Sequence, residues 1–269
     1  PGRGDIIDAP NAAPTEAARL EENPRRRSDV SSARKTIEDV DVSDRSVLVR
    51  VDFNVPLRDG VIDDDTRIRA ALPTIRSILD RGGRVVLMSH LGRPKGAGPE
   101  PEFSLAPVAD RLGELLDRPV TFPSDDCLDG RAGQAVAAAQ AGDVVLLENL
   151  RFHAGEKKGD RDFAAALAAY GDVYCNDAFG AAHRGDASMV AVRESMGDRP
   201  GVAGRLLERE LRFLGGAIED AASPFVAVLG GAKISDKLKT IRRLAGTVDT
   251  LIVGGAMAFT LLRAMGHAT

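Results

Sequence analysis

The chain has 269 residues, 43% of them hydrophobic, and a formal net charge of −4. A net-acidic chain is not built to bind nucleic acid or an anionic membrane over its whole surface, so any cationic site is local. No apolar run reaches transmembrane length, and two cysteines, Cys127 and Cys175, are too few for a disulfide framework, so a reducing cytoplasm is the expected location.

Residues 1–35 are rich in Pro, Ala and charge without an apolar period, and are expected to form a disordered N-terminal extension. They lack the apolar core of a secretory signal, and Asp5, Asp8, Glu16, Glu21 and Glu22 argue against a transit peptide. The chain opens on Pro1 and stops at Thr269 soon after a helical pattern, so both ends are expected to be cut.

From Ser46 onward one unit recurs: a short β-branched apolar run, a loop, then an amphipathic helix. The expected strands are 46–53, 84–89, 119–122, 143–149 and 172–179, followed beyond Gly201 by 224–230 and 249–255. Apolar runs without alternation suit strands covered on both faces, hence parallel ones. Between them, "LPTIRSILDRGG" reads as a helix with Pro73 at its first position and Gly82 as its stop. "SLAPVADRLGELLD" takes Ser104 as cap, "DFAAALAAYG" ends at Gly171, and residues 201–220 form a longer amphipathic segment. The expectation is an α/β fold, a doubly wound Rossmann-like parallel sheet followed by the start of a second Rossmann-like domain.

In such sheets ligands bind outside the carboxyl ends of the strands. The loops there share a theme. "RVDFNVP" offers Asp52 and Asn54, "SHLGRP" offers His90 and Arg93, "LLENLRFH" offers Arg151, and "NDAFGAAHRGDAS" offers His183 and Arg184. A single arginine after a strand is ordinarily a surface residue, and Asp52 alone suits an ion pair with Arg50. Arginines from three strand ends suit a small polyanion instead, because a guanidinium fork matches phosphate and carboxylate. Asp52 and Asn54 suit a hydroxyl group beside it.

A second theme begins after residue 220. "VAVLGGAKISDKL" is strand, Gly-Gly, then a helix with Lys233 and Lys237 four residues apart on one face, where helix N–H groups favour phosphate. "IVGGAMAF" repeats the turn with Gly254 and Gly255. Neither a Walker A loop nor G-x-G-x-x-G occurs, which removes support for a nicotinamide-dependent dehydrogenase.

Together "RVDFNVPL", "DTRIRAALPTI", "SHLGRPKG", "LAPVADRL", "LLENLRFH", "NDAFGAAHR", "GRLLERELRFL", "LGGAKISDKL" and "VGGAMAFTLL" resemble phosphoglycerate kinase, in that family's order, from about residue 36 to the end. The resemblance implies a 3-phosphoglycerate-binding domain over 36–200, an interdomain hinge helix over 201–220, and an incomplete nucleotide-binding domain over 221–269. It implies reversible phosphoryl transfer between ATP and the carboxylate of 3-phosphoglycerate, in glycolysis and gluconeogenesis, by a cytoplasmic monomer.

Carried over by motif, the substrate-binding residues are Asp52, Phe53, Asn54, Arg67, His90, Leu91, Gly92, Arg93, Arg151 and Arg184. Arg67 and Lys233 take the catalytic positions, and Lys233, Lys237, Gly254 and Gly255 the nucleotide positions. Mg²⁺ with ATP or ADP is the implied cofactor, with its ligands expected beyond this stretch. Two departures stand out: Asp186 replaces a residue that the family often has as His or another neutral type, and Ala256 stands where a third Gly is common. The alternative reading is a non-catalytic phosphoglycerate-binding fragment without a complete nucleotide site.

Overall fold

The computed structural model describes residues 35–219, 223–231 and 234–269, with the side chains of 215–219 and 236 outside the description. The expected disordered extension, apart from Lys35, lies outside the described residues, as does Lys233. Residues 35–269 form one compact unit.

The first strand, β1 (Ser46–Arg50), is buried along its whole length. A hairpin, β2 (Leu57–Arg58) and β3 (Val61–Ile62), leads into helix α1 (Thr66–Asp80). Then come β4 (Arg84–Met88), α2 (Ala106–Leu116), α3 (Gly130–Ala138) and β5 (Val144–Leu146). The short α4 (Ala154–Lys158), α5 (Arg161–Ala168), β6 (Val173–Asn176), α6 (Ala191–Ser195) and β7 (Gly201–Ala203) follow. After α7 (Arg205–Glu219) the chain forms β8 (Val226–Gly230), α8 (Leu238–Ala245), β9 (Thr250–Gly254) and α9 (Ala256–Ala264).

The main sheet runs β5-β4-β1-β6-β7, every adjacent pair parallel. Alternate side chains of each strand enter opposite layers, which is why the apolar runs are unbroken. Val47, Val49, Val85, Leu87, Val144 and Leu146 pack with Ile68, Ile75 and Ile78 of α1 and Val108 and Leu112 of α2. Leu48, Val86, Met88, Val145 and Tyr174 pack with Val136 of α3, Phe163 and Leu167 of α5, and Val192 of α6. Helices on both faces make the sheet doubly wound, as the pattern predicts. A separate parallel pair, β8–β9, is the only strand pairing after residue 220 among the described residues.

Several boundaries differ from the sequence reading. Helix α1 starts at Thr66, so Pro73 is in its interior rather than at its first position. The buried stripe Ile68, Ala71, Leu72, Ile75, Ile78 and Leu79 runs across the proline, and that burial outweighs one lost backbone hydrogen bond. Gly82 is the stop, with φ +77° and its N–H on the Leu79 carbonyl. Segment 119–122 makes only a single bridge, Thr121 beside Val145. Pro119 and Pro123 lack the N–H groups that a longer ladder needs.

Leu105, not Ser104, is the N-cap of α2, although the Ser104 Oγ still accepts from the Ala106 N–H at 3.2 Å. Gly171 lies beyond the end of α5 at Ala168, and a Cβ there would come within 2.6 Å of the Leu48 Cβ, so close contact with β1 explains it. The segment at 201–220 opens as an edge strand, β7, and is helical only from Arg205.

Candidate functional site

The carboxyl ends of β1, β4 and β6 lie side by side, because β1 is hydrogen-bonded to both neighbours. The residues that follow these strands meet there. At the end of β1, Asp52 Oδ2 accepts from Arg67 Nη1 at 2.7 Å. The early start of α1 puts Arg67 in its first turn, across from β1. Both line a cleft of about 210 Å³ with Asp177, Gly180, Leu206 and Glu210, between α1 and the start of α7. At Gly180 a Cβ would come within 2.5 Å of the Asp52 carboxylate oxygen that accepts from Arg67, so a side chain there would displace that carboxylate.

The loop after β4 is fixed by its neighbours. Asn54 Oδ1 accepts from the Gly92 N–H at 2.8 Å, and Arg151 Nη1 donates to the Gly92 carbonyl at 2.8 Å. Gly92 has φ +61°, and a side chain at this position would drive into the Phe103 ring at 2.3 Å. The Asn149 side chain accepts from the Leu91 N–H at 3.2 Å and donates to the Leu91 carbonyl at 2.8 Å, while its Oδ1 also accepts from the Arg151 N–H at 3.1 Å. One amide therefore holds the loops after β4 and β5 together.

His90 is buried beside these groups. Its Nδ1 lies 3.0 Å from Arg50 Nη2, and a guanidinium only donates, so the ring proton belongs on Nε2. Burial pushes the imidazole pKa down to about 2, and the charges of Arg50, Arg151, Arg184 and Arg67 add to the shift. A neutral imidazole with its proton on Nε2 offers a hydrogen-bond donor and adds no positive charge beside the Arg50 guanidinium.

Beneath the rim runs a buried network the sequence did not disclose. Arg50 Nε donates to Ser188 Oγ at 2.8 Å, and Ser188 Oγ donates to Glu156 Oε1 at 2.6 Å. Arg50 and Glu156 are themselves 3.9 Å apart and fully buried. Burial pushes the Glu156 carboxyl up, and the Arg50 charge partly offsets this. Asp52 thus pairs with Arg67, and Arg50 turns inward to Glu156. Asp177, after β6, accepts from the Leu206 and Leu207 N–H groups at 2.9 and 3.2 Å, anchoring the start of α7. No sequence pattern marked these residues, since each works through partners distant in the chain.

The remaining expected residues fall into three groups. The Phe53 and Leu91 side chains pack in the core, so only their backbones face the loops. Arg93 and Arg184 are exposed, with no side-chain hydrogen bond or ion pair among the described residues. Asp186 faces Arg151 at 3.5 Å, rather than Arg184. Lys237 and the two glycines sit apart, at the carboxyl ends of β8 and β9. Lys237 belongs to a 3₁₀ turn and caps α8, so it precedes the helix instead of lying within it. Gly254 ends β9 beside Gly230, and Gly255 (φ +69°) opens α9, where a Cβ would be 3.2 Å from the Gly231 carbonyl.

Among the described residues, the one convergent group of three metal-capable side chains is Asp126, Cys127 and His153. A thiol and an imidazole do not suit Mg²⁺, which takes oxygen ligands, so the described residues offer it no convergent ligand set.

The phosphoglycerate kinase family model matches residues 37–269. The chain is 55% identical over 235 residues to the phosphoglycerate kinase of Rhodopirellula baltica, covering 87% of this chain and 59% of that protein. It is 54% identical over 234 residues to the one from Chlorobaculum tepidum, covering 87% and 58%. Among solved structures, phosphoglycerate kinase from Coxiella burnetii superposes with a TM-score of 0.76 at 37% identity, covering 87% of this chain and 57% of that one. The Pyrococcus horikoshii enzyme gives a TM-score of 0.73 at 33% identity, covering 87% and 58%. The chain therefore spans under three fifths of the length of these relatives.

Proposed function

The chain belongs to the phosphoglycerate kinase family, and from that premise we propose that it binds 3-phosphoglycerate on the basic rim above β1, β4 and β6. There it supplies the acceptor side of reversible phosphoryl transfer with ATP, giving 1,3-bisphosphoglycerate and ADP in glycolysis and gluconeogenesis. The observation that carries this reading is the convergence at these strand ends of Arg67 and Arg151 with the buried His90, whose free donor is Nε2, beside the exposed Arg93 and Arg184. Such a rim matches a small phosphorylated carboxylate better than it matches any neutral ligand.

The chemistry needs no general base. The nucleophile is a carboxylate already ionised at neutral pH, so the protein's task is to position it and to neutralise charge on the transferred group. Arg93 and Arg184, exposed and unpaired among the described residues, are the free forks for the substrate phosphate. His90 donates from Nε2. Arg67, held by Asp52 on the rim of the cleft, is poised for the carboxylate end and the migrating phosphoryl group. Lys233, Lys237, Gly254 and Gly255 form the nucleotide side, where a cation and the turn opening α9 suit phosphates. Mg²⁺ would screen charge on the nucleotide. A cytoplasmic, monomeric protein belongs to the same reading, and no helix among the described residues is long and apolar enough to cross a membrane.

Calorimetric titration of 3-phosphoglycerate into the chain, beside Arg93→Ala/Arg184→Ala, tests the acceptor site. Each charged hydrogen bond contributes about 1.5–3 kcal/mol, so the double variant is expected to bind more than about 100-fold more weakly. Both side chains are exposed, so the variant keeps its fold. Equal affinity in wild type and variant, or no saturable binding by the folded wild type, would overturn the reading.

A further inference from the structure

Asp126 and Cys127 lie in the loop before α3, and His153 lies at the junction before α4. Their ligand atoms, Asp126 carboxylate oxygen, Cys127 Sγ and His153 ring nitrogen, all fall within 4.8 Å of one another. Asp126 Oδ1 and His153 Nε2 are already 3.0 Å apart. Cys127 is 1% exposed, and its thiol makes no hydrogen bond to another described side chain. It is thus a buried sulfur aimed at an acid–imidazole pair. The Asp126 and His153 side chains are 35% and 31% exposed, which leaves an entry path from solvent.

Both ligand-bearing turns are fixed by backbone hydrogen bonds. The Asp126 carboxylate accepts from the Leu128 N–H at 2.7 Å, and the His153 carbonyl accepts from the Glu156 N–H at 3.2 Å. With bonds of about 2.0 Å to nitrogen and oxygen and about 2.3 Å to sulfur, ligand atoms in a tetrahedral site stand roughly 3.5 Å apart. Against the 4.8 Å limit, the trio needs to contract by about 1.3 Å at most to enclose an ion.

We propose that Asp126, Cys127 and His153 bind a late first-row divalent ion of the zinc class, leaving a fourth position for water. Thiolate, imidazole and carboxylate together select such an ion and reject Mg²⁺, so this site is separate from the metal that accompanies a nucleotide. Binding shifts the single proton of the neutral imidazole from Nε2, where it bridges to Asp126, through solvent to Nδ1. That frees Nε2 and the carboxylate for the ion, and the thiol proton passes to solvent, one proton released per ion bound. Coordination ties the loop before α3 to the turn that carries Arg151, two residues before His153, so it stiffens one arm of the anion rim.

Titration of the full chain with Co²⁺, followed by absorption, tests the site. A sulfur-to-cobalt charge-transfer band is expected at one ion per chain, lost on addition of Zn²⁺ and unaffected by a large excess of Mg²⁺. Cys127→Ser removes the band, and Cys175→Ser leaves it intact. Because Cys127 is in the core, His153→Gln serves as the second variant: it alters a one-third exposed side chain and is expected to weaken Co²⁺ binding at least about tenfold. No band in the folded wild type, an unchanged band in Cys127→Ser, unchanged affinity in His153→Gln, or displacement by Mg²⁺ would each overturn the proposal.

Discussion

Strands β1 and β8 are written in the same apolar style and paired in the same way, yet they end in different surroundings. β1 matches β4 residue for residue from Ser46 opposite Arg84 to Arg50 opposite Met88, and β8 matches β9 from Val226 opposite Thr250 to Gly230 opposite Gly254. Every residue of β1 is buried, whereas β8 alternates between exposed and half-buried positions. Among the described residues beyond 222, only the Met257 side chain is buried. Hydrogen-bonded pairing is therefore a local outcome of an apolar β-branched run. Burial needs helices on both faces, and α1, α2, α3, α5 and α6 supply them only to the main sheet. Polar machinery follows the same division, because a buried charge network needs a dry layer around it.

The deepest element of that division is the Arg50–Ser188–Glu156 chain, and removing it gives the largest expected effect. Glu156→Ala leaves the Arg50 guanidinium buried without its anion, which costs about 3–5 kcal/mol of stability. Urea unfolding, followed by a probe in the main sheet, measures this. Glu156→Gln, which keeps an acceptor for Ser188, is expected to lose less. A loss below about 1 kcal/mol for the alanine variant would mean that water reaches Arg50, and the contrast with β8–β9 would then be one of packing alone.

The sheet was legible because two-sided cover leaves a signature, an unbroken apolar run, in β1, β4, β5 and β6. The rim was legible as residue types: Asp52, Asn54, His90 and Arg151 each follow such a run, and the structure joins Asn54 to Gly92 and Gly92 to Arg151. What stayed hidden was partnership. Arg50 reads as a polar strand end, yet its Nε finds a serine 138 positions away. Pro73 reads as a helix start because proline prefers the first turn, and only the buried stripe beginning at Ile68 moves Arg67 into the helix. Thr121 shows the converse: an apolar β-branched stretch flanked by prolines cannot extend its ladder past one bridge.

His90 sharpens the comparison in a pH-dependent way. Its folded pKa is pushed down to about 2, whereas an unfolded histidine titrates near 6.5. Between those values the unfolded chain binds a proton that the folded chain does not, so stability is full above about pH 6.5 and falls as the pH drops. The slope is about 1.4 kcal/mol per pH unit, or about 2 kcal/mol lost by pH 5. Urea midpoints at pH 7.5 and 5 in wild type and His90→Gln isolate this share. The wild type is expected to lose about 2 kcal/mol more than the variant over that range, and equal losses would mean that the imidazole is hydrated.

The smallest expected effect lies on β8. Val228 is 71% exposed, on the face of the strand that no described element covers. Burying a valine contributes roughly 1.5–3 kcal/mol, so a side chain left mostly in water contributes little of it. Val228→Ala is expected to shift stability by less than about 0.5 kcal/mol, the usual range for a surface change. Amide exchange gives the same contrast without mutation: β8 and β9 amides are expected to open at lower free energy than those of β1 and β4, because few apolar contacts hold them. A cost near 2 kcal/mol for Val228→Ala that grows with protein concentration would show that this face is covered in solution by a second copy. The exposed β8 face would then be an interface, and the difference between the two sheets would lie in what covers them rather than in whether they are covered.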